Sequence, residues 1–440
     1  MNKEIKERIE TINKGEVPDG FIKGEVGLIP VDWKTAVLND ISEIITKTAG
    51  KGIYETVSIS AGVGFVNQAK KFGKELSGKQ YEKYIVLYKG DFSYNKGNSK
   101  TYPQGCIYRL NDRETAAVPN VFESFRIKSG CAYYYDQLFT SGFLNKQLSR
   151  KINHGVRDDG LLNLTGKDFY SCVLPFPPVK EQEKIAEILS RCDKVIEECE
   201  KQVEEYKSLK KTCLGKMFPK KGSNVPEIRF PGFTDAWEQR KVGEFTNVQS
   251  ASRVHKNEWV ANGVPFYRSS DVVSAFKGND NEKAFISTEL YEELIKSSGK
   301  LEKDDILITG GGSIGIPYIV PNNEPLYSKD ADLIWVKKSK EHDSEYLYTY
   351  FASHHFREYI GSISHVGTIA HYTIEQVKDT PVQLPTIAEQ RAIGTFFHHL
   401  DNLITLHQRK VNAYTQMKKA LTQLLLTGIV RVNKQQEISY

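Results

Sequence analysis

The chain has 440 residues, of which 39% are hydrophobic and 26% charged, with 60 Lys and Arg against 55 Asp and Glu for a formal net charge of +5. That is enough chain for two or three domains of ordinary globular composition, and the small positive balance permits a polyanionic partner without demanding one. No run approaches the roughly 18 apolar residues of a membrane span, and the start "MNKEIKERIETINKGE" is too charged for a signal peptide, so no membrane partner is expected and the cytoplasm is the expected location.

In chain order, residues 1–23 form an N-terminal segment with a charged helical stretch from Asn2 to Asn13, expected to pack near a second long helix described below. Residues 24–176 mix β-like runs such as "KYIVLY" and "SFRIK" with helical stretches, which predicts an α+β domain with a compact sheet. A glycine-bearing loop, "GNSKTYPQG", follows one of these strands. Asn95, Lys96, Asn98, Lys100 and Tyr102 gather around it, with Arg157 further on. Residues 177–218 read as a first long helix and residues 219–230 as a linker rich in Pro, Gly, Ser and Lys.

Residues 231–384 repeat the mixed pattern, with strands in "DILIT", "IPYIV" and "DLIWV" and helices in "STELYEELIKSS" and "SEYLYTYFASHHFREYI". Polar and basic candidates here are Arg253, Lys256, Arg268, Ser269, Ser270, Ser313, His365, Thr368 and His371. Such loops suit a surface that touches phosphates and base edges, and equally suit ordinary solvated turns. Residues 385–430 form the second long helix. All six cysteines lie in the first half and none forms a C-x-x-C pair, so reduced, mostly buried thiols are expected.

The two helical segments are copies. "FPPVKEQEKIAEILSRCDKVI" and "LPTIAEQRAIGTFFHHLDNLI" lie 208 positions apart (Pro177 to Pro385), and the register holds through Asp193/Asp401, Lys210/Lys418 and Lys211/Lys419. Ile185, Leu189, Cys192, Ile196, Cys199, Val203 and Tyr206 recur in alternating steps of four and three. Ile393, Phe397, Leu400, Ile404, His407, Val411 and Tyr414 do the same, which is the coiled-coil period. Both copies carry a Lys at one seam position, Lys210 and Lys418, placed either to set register or to snorkel. Prolines before the first turn and a Glu within it suit a helix start. The helices either pack on their own domains or against each other. Matched seams favour the latter, with rods about 60 Å long and, if they lie antiparallel, the two blocks at opposite ends. A weaker echo aligns Trp33 with Trp237, and Asp91 in "YKGDFSYNKG" with Asp305 in "LEKDDILITGG".

Several motifs fail on context. "GGGSIG" matches a dinucleotide-binding pattern, but the β-branched "IPYIV" follows it, so the loop should join two strands instead of opening a helix. "PFPPVK" lacks the Asn or Asp of an amino-methyltransferase motif. "PDG" at Pro18 to Gly20 has no E-x-K downstream, and the His pairs at His354 and His398 lack metalloprotease spacing. No catalytic, cofactor or metal centre is expected in this chain.

Two divergent blocks, each closing in L/F-P-x-x-x-E-Q-x-x-I and a shared helix, resemble the specificity (S) subunit of type I restriction–modification systems. So do "PEIRFPGFTDAWEQRKVGEF", "LEKDDILITGGGSIG" and "HVGTIAHYTIEQVKDTPVQLPTIAEQ", and the likeness spans nearly the whole chain. The resemblance implies a non-catalytic subunit with two target recognition domains, each reading one half of a bipartite double-stranded DNA site. It further implies an antiparallel coiled coil that sets the spacer and docks two modification (methyltransferase) subunits, joined by restriction/translocase subunits. Coil and docking would fall to Glu181, Gln182, Ile185, Leu189, Ile196, Val203 and Tyr206, and to Glu389, Gln390, Ile393, Phe397, Ile404, Val411 and Tyr414. S-adenosylmethionine would belong to the adenine-N6 methyltransferase partners, ATP and Mg2+ to the endonuclease partners. A scaffold with two protein-binding heads is the alternative from another class.

Overall fold

The computed structural model describes residues 3–73, 78–97, 100–152, 161–329, 332–363 and 371–432. The chain forms two compact units, residues 1–197 with 412–440 and residues 198–411. Each contains one recognition block, part of the first long helix, Val179–Lys216, and part of the second, Ile387–Leu426.

In the first unit a four-stranded antiparallel sheet runs in the order Ser42–Ile44, Glu123–Ile127, Phe92–Asn95, Cys106–Arg109. A separate pair joins Lys34–Val37 to Val173–Phe176, the strand that leads into the long helix. The second unit repeats this topology. Its sheet runs Val248–Gln249, Leu333–Val336, Ile306–Thr309, Pro317–Ile319, and its pair is Glu238–Lys241 with Pro381–Leu384. The runs "ILIT" and "LIWV" are apolar but for Thr309 because every residue of those central strands is buried, so no alternation appears. Around these frames the units differ. The first adds the hairpin Phe21–Gly24/Gly27–Pro30 and pairs Val57–Ser60 with Gly64–Asn67. The second adds a sheet ordered Trp259–Val260, Ala284–Ile286, Val264–Tyr267, Tyr327–Ser328.

The echo between Asp91 and Asp305 has a structural cause. Each carboxylate is buried and accepts the backbone N–H three residues upstream, from Tyr88 and from Glu302, both at 2.8 Å. That tightens the turn before the central strand and satisfies donors that would otherwise be stranded in the interior.

The long helices enter the cores directly. In the first unit Ile185, Ala186 and Leu189 pack with Trp33, Phe125, Phe139 and Phe169, and Leu425 and Leu426 of the second helix join the same cluster. In the second unit Ile393, Phe397 and Leu400 share a core with Cys213, Met217 and Phe218 at the end of the first helix. Each helix start therefore packs both on its own domain and beside the end of the other helix. Lys418 pairs with Asp193 in the first unit, and Lys210 pairs with Asp401 at 2.5 Å in the second, so the helices run antiparallel. Val203 and Val411 are buried at the seam, and the rings of Tyr206 and His407 meet at 5.4 Å. The fold is thus α+β, with two mixed recognition domains, an antiparallel coiled coil and an internal repeat.

The N-terminal helix, Lys3–Asn13, lies against the chain just past the second long helix, where Arg8 Nη1 donates to the carbonyl of Ile429 at 3.0 Å. Among the described residues no helix is long and apolar enough to cross a membrane.

Candidate functional site

The repeated Glu-Gln pair at each helix start faces inward. Glu181 and Gln182 are fully buried, as are Glu389 and, within 2%, Gln390. Gln182 Nε2 donates to the Pro177 carbonyl at 2.8 Å while its Oε1 accepts the N–H of Cys131, the residue preceding helix Ala132–Thr140. Gln390 does the same with the Pro385 carbonyl and the N–H of Asp343, which precedes helix Ser344–Ala352. One amide thus ties a long helix to the start of a domain helix, in both units.

The neighbouring glutamates are each held by an arginine delivered after a long helix. Arg431 forks onto Glu181 at 2.8 and 2.9 Å and onto Asp32 at 2.8 and 2.7 Å. Arg229 forks onto Glu389 at 2.7 and 2.8 Å. Hydrogen bonds to Glu181, then to Asp32, raise the basicity of Arg431, and the Arg431 fork holds the Asp32 carboxyl below its usual range. The units part company at the tryptophans. Trp33 Nε1 donates to Glu181 at 3.1 Å, whereas the buried Trp237 Nε1 finds no partner among the described residues. The side chains of Glu181, Gln182, Glu389 and Gln390, expected to serve the coil and docking, are buried and staple each long-helix start to its own domain. Ile185, Leu189, Ile393 and Phe397 are likewise buried in the domain cores. Ile196, Tyr206, Ile404 and Tyr414 are half-buried.

The second candidate surface lies at the end of the central strand. In the first unit the chain beyond Phe92–Asn95 is crossed by a strap in which Leu162 N–H donates to the Lys96 carbonyl at 2.9 Å. In the second unit Tyr372 N–H donates to the Gly310 carbonyl at 2.9 Å beyond Ile306–Thr309. The loop after Thr309 joins two antiparallel strands, as the residues following "GGGSIG" predict. Ser269 reaches the same place, its hydroxyl donating to the Asp332 carbonyl at 2.9 Å, and that carbonyl also accepts Gly310 N–H. Ser269, Ser313 and the chain at Tyr372 beside His371, distant in sequence, are thereby gathered at one strand end.

Not every basic or polar candidate is available there. Lys96 is mostly shielded in an ion pair with Glu123 at 3.0 Å, and Asn95 accepts Gly97 N–H at 2.9 Å. Arg268 forks onto Asp271, with its basicity raised by those hydrogen bonds, and its guanidinium lies over Trp259. These three, expected on the DNA surface, are half-buried and hold contacts within the fold. Tyr102 is half-buried beside a cavity of about 460 Å3 that Tyr94, Tyr108, Asn145 and Lys419 also line. Lys100, Arg253, Lys256, Ser270, Ser313 and His371 are exposed. Asn98, Arg157, His365 and Thr368 lie outside the described residues. Among the described residues no cluster of His, Cys, Asp and Glu is arranged to hold a metal ion.

A sequence profile for the type I restriction modification DNA specificity domain matches residues 30–205 and again residues 234–416. The chain belongs to that family. It is thus a specificity subunit of the type I restriction–modification class, a DNA-recognition component and not one of the catalytic subunits. It is 28% identical over 317 residues to the type I restriction enzyme MjaVIII specificity subunit of Methanocaldococcus jannaschii, covering 68% of this chain and 70% of that one. A candidate specificity subunit of the same organism, MjaX, is 26% identical over 446 residues, covering 94% and 97%. The crystal structure of a type I S subunit from M. genitalium shares the fold, with a TM-score of 0.57 at 15% identity over 89% of this chain and 96% of that one.

Proposed function

We propose that each recognition domain of this specificity subunit reads one half of a bipartite site on duplex DNA, and that the paired long helices set the spacer between the halves. The same helices dock two adenine-N6 DNA methyltransferase subunits, and ATP-dependent restriction subunits join through them, in the cytoplasm. S-adenosylmethionine is then the methyltransferases' cofactor, and ATP and Mg2+ belong to the restriction subunits. The observation that carries this reading is the duplication itself. One sheet topology, one Glu-Gln staple and one helix register are built twice, while the loops at the two strand ends differ in sequence. A repeated frame suits two copies of one partner, and divergent loops suit two different half-sites.

The test is a domain exchange read by genomic methylation mapping. Replacing residues 24–176 with the matching block of a relative should change one half of the methylated motif and leave the other half and the spacer intact. Inserting four residues, about one helical turn, into a long helix should change the spacer alone. A block exchange that alters both half-sites would overturn the two-head reading. Protein partners retained without salt-dependent duplex binding would favour the scaffold alternative instead.

A further inference from the structure

We infer that two reciprocal Lys–Asp pairs, Lys418 with Asp193 and Lys210 with Asp401, are the register keys of the coil and so select the spacer that the protein accepts. The inference rests on the reading of the long helices as a spacer. It starts from a weakness of the seam. An apolar stripe repeating every seven residues packs nearly as well after a slip of one heptad, so the stripe alone does not define one register. A slip of seven residues displaces one helix by about 10 Å, or about three base pairs of DNA.

Core packing and the Arg431 and Arg229 forks hold the helix ends, and along the seam between them the lysines remove that ambiguity. Each occupies a seam position and is only 22% exposed, with its carboxylate partner at the rim, 38% exposed for Asp401 and 43% for Asp193. Asp193 to Lys210 and Asp401 to Lys418 are the same 17-residue step (210 less 193, 418 less 401), so the pair in each unit defines the same antiparallel register. Slipping one heptad in one direction brings Lys210 opposite Gly394 and Lys418 opposite Ala186, and neither cation meets a carboxylate. In the other direction Lys210 meets Gln408, and only Lys418 finds an acid, Glu200. The native register alone pairs both. In the first unit the key is also tied to the recognition domain, because Gln137 Nε2 of helix Ala132–Thr140 donates to Asp193 at 3.1 Å.

The experiment uses the full chain in complex with its methyltransferase subunits. Lys210→Met with Lys418→Met removes the keys and leaves the seam apolar. An apolar residue at such a position stabilises a coil while relaxing its register, so the variant should melt at or above the wild-type temperature. Its methylated sites should change from one spacer to a mixture, with on the order of one tenth or more displaced by about three base pairs. A merely stabilising role predicts the opposite, a lower melting temperature with the spacer unchanged. Exchanging all four charges, Lys to Asp and Asp to Lys, should restore a single spacer, and if that chain fails to fold the methionine variant alone decides. A single spacer kept by the methionine variant would overturn the inference whatever its stability. Wild-type methylation at no fixed spacing would instead defeat the spacer reading itself.

Discussion

Glu181 and Glu389 each present a carboxylate to the protein interior, and each is matched by a single forked arginine. A buried ion pair adds little over apolar packing, but breaking one leaves a charge stranded at a cost of about 3–5 kcal/mol. Arg431→Ala is therefore expected to destabilise the first unit by about that amount in equilibrium denaturation. Adding Glu181→Gln should recover part of the loss, and strictly additive effects would deny the staple. Two buried titratable groups give the units opposite responses to acid. Burial holds the Asp136 carboxyl up at about 6, against hydrogen bonding from Asn111. Its folded value lies above its ordinary 3.8, so the penalty is absent below 3.8, grows as pH rises from 3.8 to 6 and is complete above 6, on the order of 3 kcal/mol. Burial lowers His342 to about 4 from 6.5, so its contribution is complete above 6.5 and is lost as pH falls toward 4. Melting curves should show Asp136→Asn gaining stability at pH 8 but not at pH 4. His342→Gln should flatten the acid loss between pH 6.5 and 4. Parallel shifts at every pH would contradict both assignments.

At the scale of elements, the long helices are set by how closely other pieces approach them. Gly394 occupies the position where the first copy has Ala186, and a Cβ there would stand 2.6 Å from Asp343 Oδ1, 2.8 Å from Tyr346 N and 2.9 Å from Glu345 Cβ. Helix propensity alone favours Ala over Gly by about 1 kcal/mol. The start of helix Ser344–Ala352 cannot yield without loosening Gln390, so Gly394→Ala is expected to lower the melting temperature despite its better propensity. A stabilised variant would mean that helix can retreat freely. Gly428 answers a related need, because its φ of +70° turns the chain out of the second long helix and a Cβ there would lie 2.4 Å from Pro30 Cγ. Helix starts, seams and central strands were legible in the sequence, since period and end signals lie among neighbours. The close approach at Gly394 was not, because a glycine within a helical pattern does not say what is pressed against it.

For the whole molecule, a net charge of only +5 leaves phosphate contact to depend on which basic side chains face the DNA. Lys100 and Lys256 are exposed, and each is expected to release about one counterion on binding duplex DNA. Replacing either with Gln should weaken binding at all sequences and make the log-log salt slope shallower by about 1. Lys96→Gln and Arg268→Gln should instead lower stability, since those cations are committed to Glu123 and Asp271. A changed slope with unchanged stability in the second pair would reverse the assignment of surface and interior.

The sequence by itself determined the repeat, the two long helices, the mixed sheet domains and the family, because each rests on local period, on local propensity or on the same letters occurring twice. It also showed a lysine in each seam, with setting register and snorkelling both open. Only the tertiary structure decided what the repeated polar letters do. Glu181 meets an arginine 250 residues away and Glu389 one 160 residues away, in a chain with 60 basic side chains to choose from. Nothing near an acidic residue marks its distant partner, because ion pairing depends on where the folded backbone brings side chains together. The same holds for Lys210 and Lys418, whose carboxylates lie on the opposite helix and become their partners only in one register.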